Sequence, residues 1–321
     1  MAMTDHPRSD GRSDRHFGPA RESQRSPTTR SGFVALAGRP NVGKSTLVNA
    51  MVGQKVAIVS DKPQTTRRAI RGVVTVPDQF QLVLTDLPGV QRPRDELTAR
   101  MQRRVESEVG EADAALFVVN GEQGVGGAGD RFIAESLANA RVPVVIAVNK
   151  IDRLNQPRAV VALQAAADLG LDAEVFPISA RTGKGVAPLL DHLAGLLPQG
   201  PFYFPSDEVS DQSERVMLAE LVREQVLLRT RQEVPHAVEV QIDEIEEGEG
   251  LITVRALLWV ETESQKGILI GSRGRMIKAI GTAARRELER ELGGHVHLDL
   301  SVRVRRSWRA DDALLDRLGI T

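Results

Sequence analysis

Residues Gly38-Arg39-Pro40-Asn41-Val42-Gly43-Lys44-Ser45 set a glycine four residues ahead of Gly-Lys-Ser, the spacing of a phosphate-binding loop. Glycines let the backbone curl so that successive N–H groups face anionic oxygens, Lys44 adds a full charge, and the Ser45 hydroxyl suits Mg²⁺. An apolar run at 33–37 precedes the loop, and 46–51, opening with Thr46, follows it. The loop therefore joins a strand to a helix, whose positive dipole end adds to anion binding.

Three further polar clusters each follow an apolar run. Asp86-Leu87-Pro88-Gly89 offers a carboxylate that can hold Mg²⁺ through water and, at Gly89, a backbone N–H unobstructed by a side chain. Asn149-Lys150-Ile151-Asp152 ends in a carboxylate, an acceptor only, which matches the paired N1–H and N2–H₂ donors of guanine and not adenine. Asn149 can bridge base edge and phosphate loop, and the Lys150 stem can lie over the ring. Ser179-Ala180 places a small residue where a backbone N–H can approach the guanine carbonyl oxygen.

The elements that must carry these clusters follow from hydrophobic patterning. Strands are expected at 33–37, 69–76, 80–85, 114–119, 142–148 and 174–178, with helices at 97–109, 129–140, 157–169 and 185–197. Alternation of this kind builds an α/β fold, a mostly parallel six-stranded sheet with helices on both faces, and ligands bind at the carboxyl ends of its strands. All four clusters fall there.

In this order, the motifs resemble the GTP-binding domain of translation-factor-like GTPases. The resemblance implies that the polar loop 60–67 is a switch that orders around Mg²⁺ and the terminal phosphate of GTP. Thr65 and Thr66 are its candidate ligands, Thr66 preferred because it directly precedes Arg67. Lys44, Asn41 and Thr66 are the expected catalytic groups, and Ser45, Thr66 and Asp86 the expected metal ligands. Val90 stands where many GTPases have Gln and cannot orient a water; either hydrolysis is slow and dependent on a partner, or a group elsewhere supplies the electrostatics, with K⁺ a candidate. GTPases resembling this one with Asn at the Asn41 position bind K⁺ there; otherwise Asn41 only stabilises the loop's turn.

Composition bounds the rest. With 42 basic and 43 acidic residues among 321, the chain has no global pull toward nucleic acid or membrane. The absence of cysteine removes disulfides and thiolate metal sites. Residues 1–30, almost free of large apolar side chains, read as a disordered tail. Domain one is expected over 31–200, a Pro- and aromatic-rich connector, able to dock on either neighbour, over 201–212, and a second domain over 213–321.

That second domain reads helix, two strands, two helices, strand, final helix, its hairpin connection falling at 246–250. Ile270-Gly271-Ser272-Arg273-Gly274-Arg275 with Lys278 lies between two helices, a tight turn whose backbone can approach a sugar-phosphate chain. Residues 266–309 hold eleven basic against four acidic groups, whereas 233–263 hold nine acidic against one basic, a polarity that steers RNA to the turn. The pattern resembles a KH domain of type II, smaller and α+β.

The combination, with 38–46, Gln64-Thr65-Thr66-Arg67, Gly271-Ser272-Arg273-Gly274 and Val304-Arg305-Arg306-Ser307-Trp308, resembles the Era family of ribosome-associated GTPases. That resemblance implies GTP and GDP as ligands and the 3′ end region of 16S rRNA in the small ribosomal subunit as partner. It also implies a cytoplasmic monomer peripherally associated with the cell membrane. Two other readings stay open at this point: an RNA-binding scaffold using GTP as a structural ligand, and a membrane or cell-division regulator whose second domain binds protein.

Overall fold

The computed structural model describes residues 29–62, 65–90, 93, 95–231, 234–318 and 320. Most of the tail expected over 1–30 lies outside these residues. Thr29 and Arg30, which that reading left in the tail, are anchored: the Thr29 hydroxyl donates to the Gly200 carbonyl at 2.8 Å, and Arg30 opens the first strand.

The first domain runs β1 (Arg30–Ala37), α1 (Lys44–Val52), β2 (Ile70–Val76), β3 (Phe80–Asp86), α2 (Glu96–Glu111), β4 (Ala114–Asn120), α3 (Ala128–Ala138), β5 (Val144–Asn149), α4 (Gln156–Ala167), β6 (Ala173–Pro177) and α5 (Val186–Leu196). Its six strands are ordered β2-β3-β1-β4-β5-β6, parallel except for the β2–β3 hairpin. β4 is buried along its whole length, which is why Ala-Ala-Leu-Phe-Val-Val is apolar without alternation: helices cover both faces. Leu47, Val48, Leu189 and Leu193 bring α1 and α5 onto one face. Val105, Ile133 and Ala166 bring α2, α3 and α4 onto the other. α2 starts at a capping box in which Asp95 and Thr98 satisfy each other's backbone N–H groups.

The connector is docked on the first domain. Gln81, buried in β3, accepts from the backbone N–H groups of Tyr203 and Phe204 and donates to the Phe204 carbonyl, while the Tyr203 ring packs on Phe33 at 5.0 Å.

The second domain runs α6 (Glu214–Arg229), α7 (Val234–Ala237), β7 (Glu239–Gly248), β8 (Leu251–Val260), α8 (Glu263–Ile270), α9 (Arg275–Leu292), β9 (Val296–Val304) and α10 (Asp312–Arg317). The sheet order is β7-β8-β9, with β8 and β9 parallel. Strand pairing continues to Gly248 opposite Leu251, so the hairpin turn is Glu249-Gly250 and shorter than the expected connection. A register shift between Ile242 and Glu244 breaks the period-two pattern there and returns Ile245 to the core. α6 and α9 cover the sheet through Leu218, Leu221, Val222, Val226, Ile280, Ala284 and Leu288.

Apolar packing crosses between the domains at two places. Ile58, which follows α1, belongs to the core cluster of the second domain. The chain's last elements return to the first: Trp308, Leu314, Leu315, Leu318 and Ile320 pack with Leu97 and Met101 of α2.

Candidate functional site

The cleft lies at the carboxyl ends of β1, β3, β5 and β6, because each strand hands its chain to a polar loop there. After β1, the Lys44 ammonium is buried and donates to the carbonyls of Gly38 at 3.1 Å and Arg39 at 3.4 Å. Burial brings it down to about 8, with Asp86 opposing the shift. A phosphate entering the loop would replace those weak carbonyl partners with full negative charge. Gly89 has to be glycine for a packing reason: a Cβ there would lie 2.7 Å from Pro40 atoms. The neighbouring Val90 N–H donates to the Gly38 carbonyl at 3.0 Å, tying the end of the Asp-Leu-Pro-Gly segment to the phosphate loop.

Ser45, Thr66 and Asp86 converge. The Ser45 hydroxyl is 2.6 Å from Asp86 Oδ2 and 3.1 Å from the Thr66 hydroxyl, which is itself 3.2 Å from Asp86 Oδ2. Burial pushes the Asp86 carboxyl up, against Lys44, Ser45 and Thr66. Asp86 Oδ1 is buried and has no hydrogen-bond partner. A carboxylate oxygen with unused lone pairs beside two hydroxyls makes a set of hard oxygen donors, which fits Mg²⁺. Thr65 points elsewhere, its hydroxyl donating to the Lys62 carbonyl at 2.6 Å.

The base end differs in detail from expectation. Asn149 donates to the Val42 carbonyl at 2.9 Å and accepts from Lys150 N–H at 2.7 Å and Ala180 N–H at 2.9 Å. It is a bracket between the phosphate loop and the loop after β6. The Ala180 N–H, expected to face the guanine oxygen, is directed to the Asn149 side chain in this bracket. Lys150, in the left-handed region at φ 67, reaches the Asn41 carbonyl at 2.9 Å. Arg181, which the motif reading missed, meets Asp152 Oδ2 at 2.5 Å. Its hydrogen bond, with that of Ser179, holds the Asp152 carboxyl below its ordinary range. Asn41 donates its amide to the Asp61 carbonyl at 2.7 Å, so it spans from the phosphate loop to the switch loop. Thr46 lines the same cleft.

A second group, between the domains, was not legible as a site. Arg67 meets Glu239 and the Val238 carbonyl, each at 2.7 Å, and stacks over Trp308 at 5.5 Å. Arg68 meets Glu220 at 2.6 Å, Glu239 at 3.1 Å and the Leu318 carbonyl at 2.6 Å. Arg223 bonds Glu220 at 2.6 Å and the Thr65 carbonyl. Burial pushes the Glu239 carboxyl up, and Arg68, Arg67 and Arg223 outweigh that, bringing it down to about 2. One sequence signal was present: Glu220, Arg223 and Glu224 occupy one face of a helix whose other positions are mostly apolar, so that face cannot be mere solvent surface.

On the far side of the second domain, Gly271 sits at φ 70 where a Cβ would fall 2.7 Å from Met276, and the Ser272–Gly274 turn leads into α9. Ser272, Arg273, Arg275 and Lys278 are exposed around it, and Ile270 is 37% exposed. Beside the turn, Ile277, Gly281, Arg285, His297, Leu298 and Leu300 line an open groove between α9 and β9. A basic rim over an apolar floor suits a single strand with its phosphates outward and bases inward.

Fold and cleft define a P-loop GTPase carrying a KH domain. Residues 33–150 match the family model described as a 50S ribosome-binding GTPase, and 233–309 match that of the KH domain. The GTPase Era of Mycobacterium sp. (strain KMS) is 45% identical over 296 residues, covering 90% of this chain and 98% of its own length. That of Mycobacterium avium (strain 104) is 47% identical over the same shares. A crystal structure of Era in complex with MgGDPNP and nucleotides 1506-1542 of 16S ribosomal RNA matches with TM-score 0.88 at 34% identity, over 91% of this chain and 99% of that one. A substituted Aquifex aeolicus Era bound to GDP.AlF4- matches with TM-score 0.86 at 34% identity, over the same shares. The chain belongs to the Era family of GTPases, and its reaction is the hydrolysis of GTP to GDP and phosphate.

Proposed function

We propose that this GTPase binds the region near the 3′ end of 16S rRNA through its KH domain and times maturation of the small ribosomal subunit. The observation that carries the reading is the match along both domains to an Era bound at once to a GTP analogue and to that RNA, in a chain whose own Gly271–Gly274 turn leads into the helix that lines a basic-rimmed groove.

In the proposed mechanism, Lys44 and the backbone of the 38–45 loop hold the phosphates, and Asp152 takes the guanine edge after Arg181 moves off it. Ser45, Thr66 and Asp86 would hold Mg²⁺, which when bound neutralises charge on the phosphates. Gly89 offers its N–H to the terminal phosphate. Val90, buried and apolar, orients no water, so turnover is slow until RNA, the ribosome or K⁺ assists. The Asn41 amide donates to the Asp61 carbonyl and ties the phosphate loop to the switch loop; its K⁺ role in this proposal rests on the family likeness. Hydrolysis frees the switch and loosens the grip on RNA.

Action as a monomer in the cytoplasm, peripherally associated with the membrane, belongs to the same proposal and rests on the family likeness. Among the described residues no helix is long and apolar enough to cross a membrane. The test is RNA binding by the full chain with GDP and with a non-hydrolysable GTP analogue, using the 1506-1542 fragment. Tighter binding with the analogue is expected. Equal affinity would remove the timer, and no binding in either state would remove the RNA reading.

A further inference from the structure

The described part of the switch loop is held at both ends by one helix of the other domain. Just ahead of it, Ile58 enters the second domain's core, Val59 N–H donates to Glu224 at 2.9 Å, and Lys55 meets the other Glu224 oxygen at 2.5 Å. At its end, Arg223 binds the Thr65 carbonyl, and Arg67 and Arg68 enter the cluster with Glu220 and Glu239. Glu220, Arg223 and Glu224 are spaced i, i+3, i+4 on α6, one helical face. Between the ties at residues 65 and 67 sits Thr66, its hydroxyl turned the opposite way, onto Ser45 and Asp86.

We infer that Arg223, acting with Glu220 and Glu239, is a positioning residue for the GTP site: the KH-side helix sets where the Thr66 hydroxyl stands. An extended residue advances about 3.3 Å, so a slip of one residue at either tie would remove Thr66 from its 3.2 Å contact with Asp86. The charges have a reason to be there that adhesion alone does not supply. Apolar side chains of similar volume would join two domains at least as tightly as buried ion pairs. Three guanidiniums and two carboxylates, joined by the Thr65, Val238, Pro235 and Leu318 carbonyls, instead favour one register and penalise a slip, which would leave further buried charge unpaired. The KH side thus contributes to the GTPase site without touching nucleotide.

The inference rests on Thr66 as a ligand of the triphosphate state, and its test contains no RNA. Binding of GDP and of a non-hydrolysable GTP analogue, both with Mg²⁺, is measured on the full chain for Arg223→Gln, Thr66→Ala and the double variant. Arg223→Gln should weaken the analogue about tenfold, the loss of a charge-assisted hydrogen bond, and leave GDP within about twofold. Thr66→Ala should show the same selectivity, and the double variant should be no weaker than the weaker single one. Arg223→Lys, which keeps charge and a donor, should recover part of the loss, and it carries the test at smaller amplitude if Arg223→Gln does not fold. Equal weakening of GDP and analogue by the Arg223 variants, or a loss that adds fully to that of Thr66→Ala, overturns the inference alone. A Thr66→Ala chain that binds analogue normally overturns the ligand reading and the inference with it.

Discussion

The nucleotide cleft and the interdomain charge cluster handle buried polarity in opposite ways. In the cleft, strong groups are left with weak or missing partners: Lys44 rests on two carbonyls and Asp86 Oδ1 has none. Between the domains, Glu239 faces three guanidiniums and is driven down to about 2. The first arrangement reserves interaction energy for a ligand, whereas the second spends it inside the protein. Deleting a charge should therefore cost binding in one region and folding in the other.

The largest expected effect is on the closed cluster. Glu239→Ala leaves Arg67 and Arg68 buried without their shared carboxylate and should destabilise the chain by about 3–5 kcal/mol, read as a lower Tm and denaturant midpoint. Acid should do the same reversibly. The Glu239 carboxyl, faced by Arg67, Arg68 and Arg223 with Glu220 alongside, titrates below its ordinary 4.5 when folded. Its contribution is therefore present above pH about 4.5 and lost as pH falls toward 2, which Trp308 fluorescence can follow. Lys44→Ala should lower kcat by about 10²–10³, as removal of a preorganised charge does, with no drop in Tm because burial already disfavours that ammonium. A fall in Tm matching that of Glu239→Ala would erase the contrast. The smallest effect belongs to the RNA rim. Arg273→Ala with Lys278→Ala should weaken RNA binding about tenfold and flatten its salt dependence by about 1.4 log units per log unit of salt, about 0.7 for each phosphate no longer neutralised. GDP affinity and Tm should not move.

The same contrast explains what the sequence disclosed. Gly38 to Ser45, Asp86 to Gly89 and Asn149 to Asp152 are short because each loop must deliver several groups to one point, and such spacing is visible in a line of letters. The choice between Thr65 and Thr66 was not: it depends on which hydroxyl the α6 tie turns toward Asp86. Arg67 and Glu239 are 172 positions apart, and nothing near either residue announces the other. Arg181 was given no role from the sequence because its partner lies 29 positions away. The docking of the connector depended on Gln81, a polar residue set between the apolar Phe80 and Leu82 of a buried strand, which was a signal present and not used.

The packing of Leu318 and Ile320 on Leu97 and Met101 also orders events in time during synthesis. Arg100 meets the Ile320 carbonyl across 220 positions, which at about 5–20 residues per second takes on the order of tens of seconds to translate. Through that interval Leu97 and Met101 of α2 lack their final cover, while the phosphate loop has already emerged. The first domain can thus meet nucleotide before Leu318 and Ile320 arrive to close over its helix.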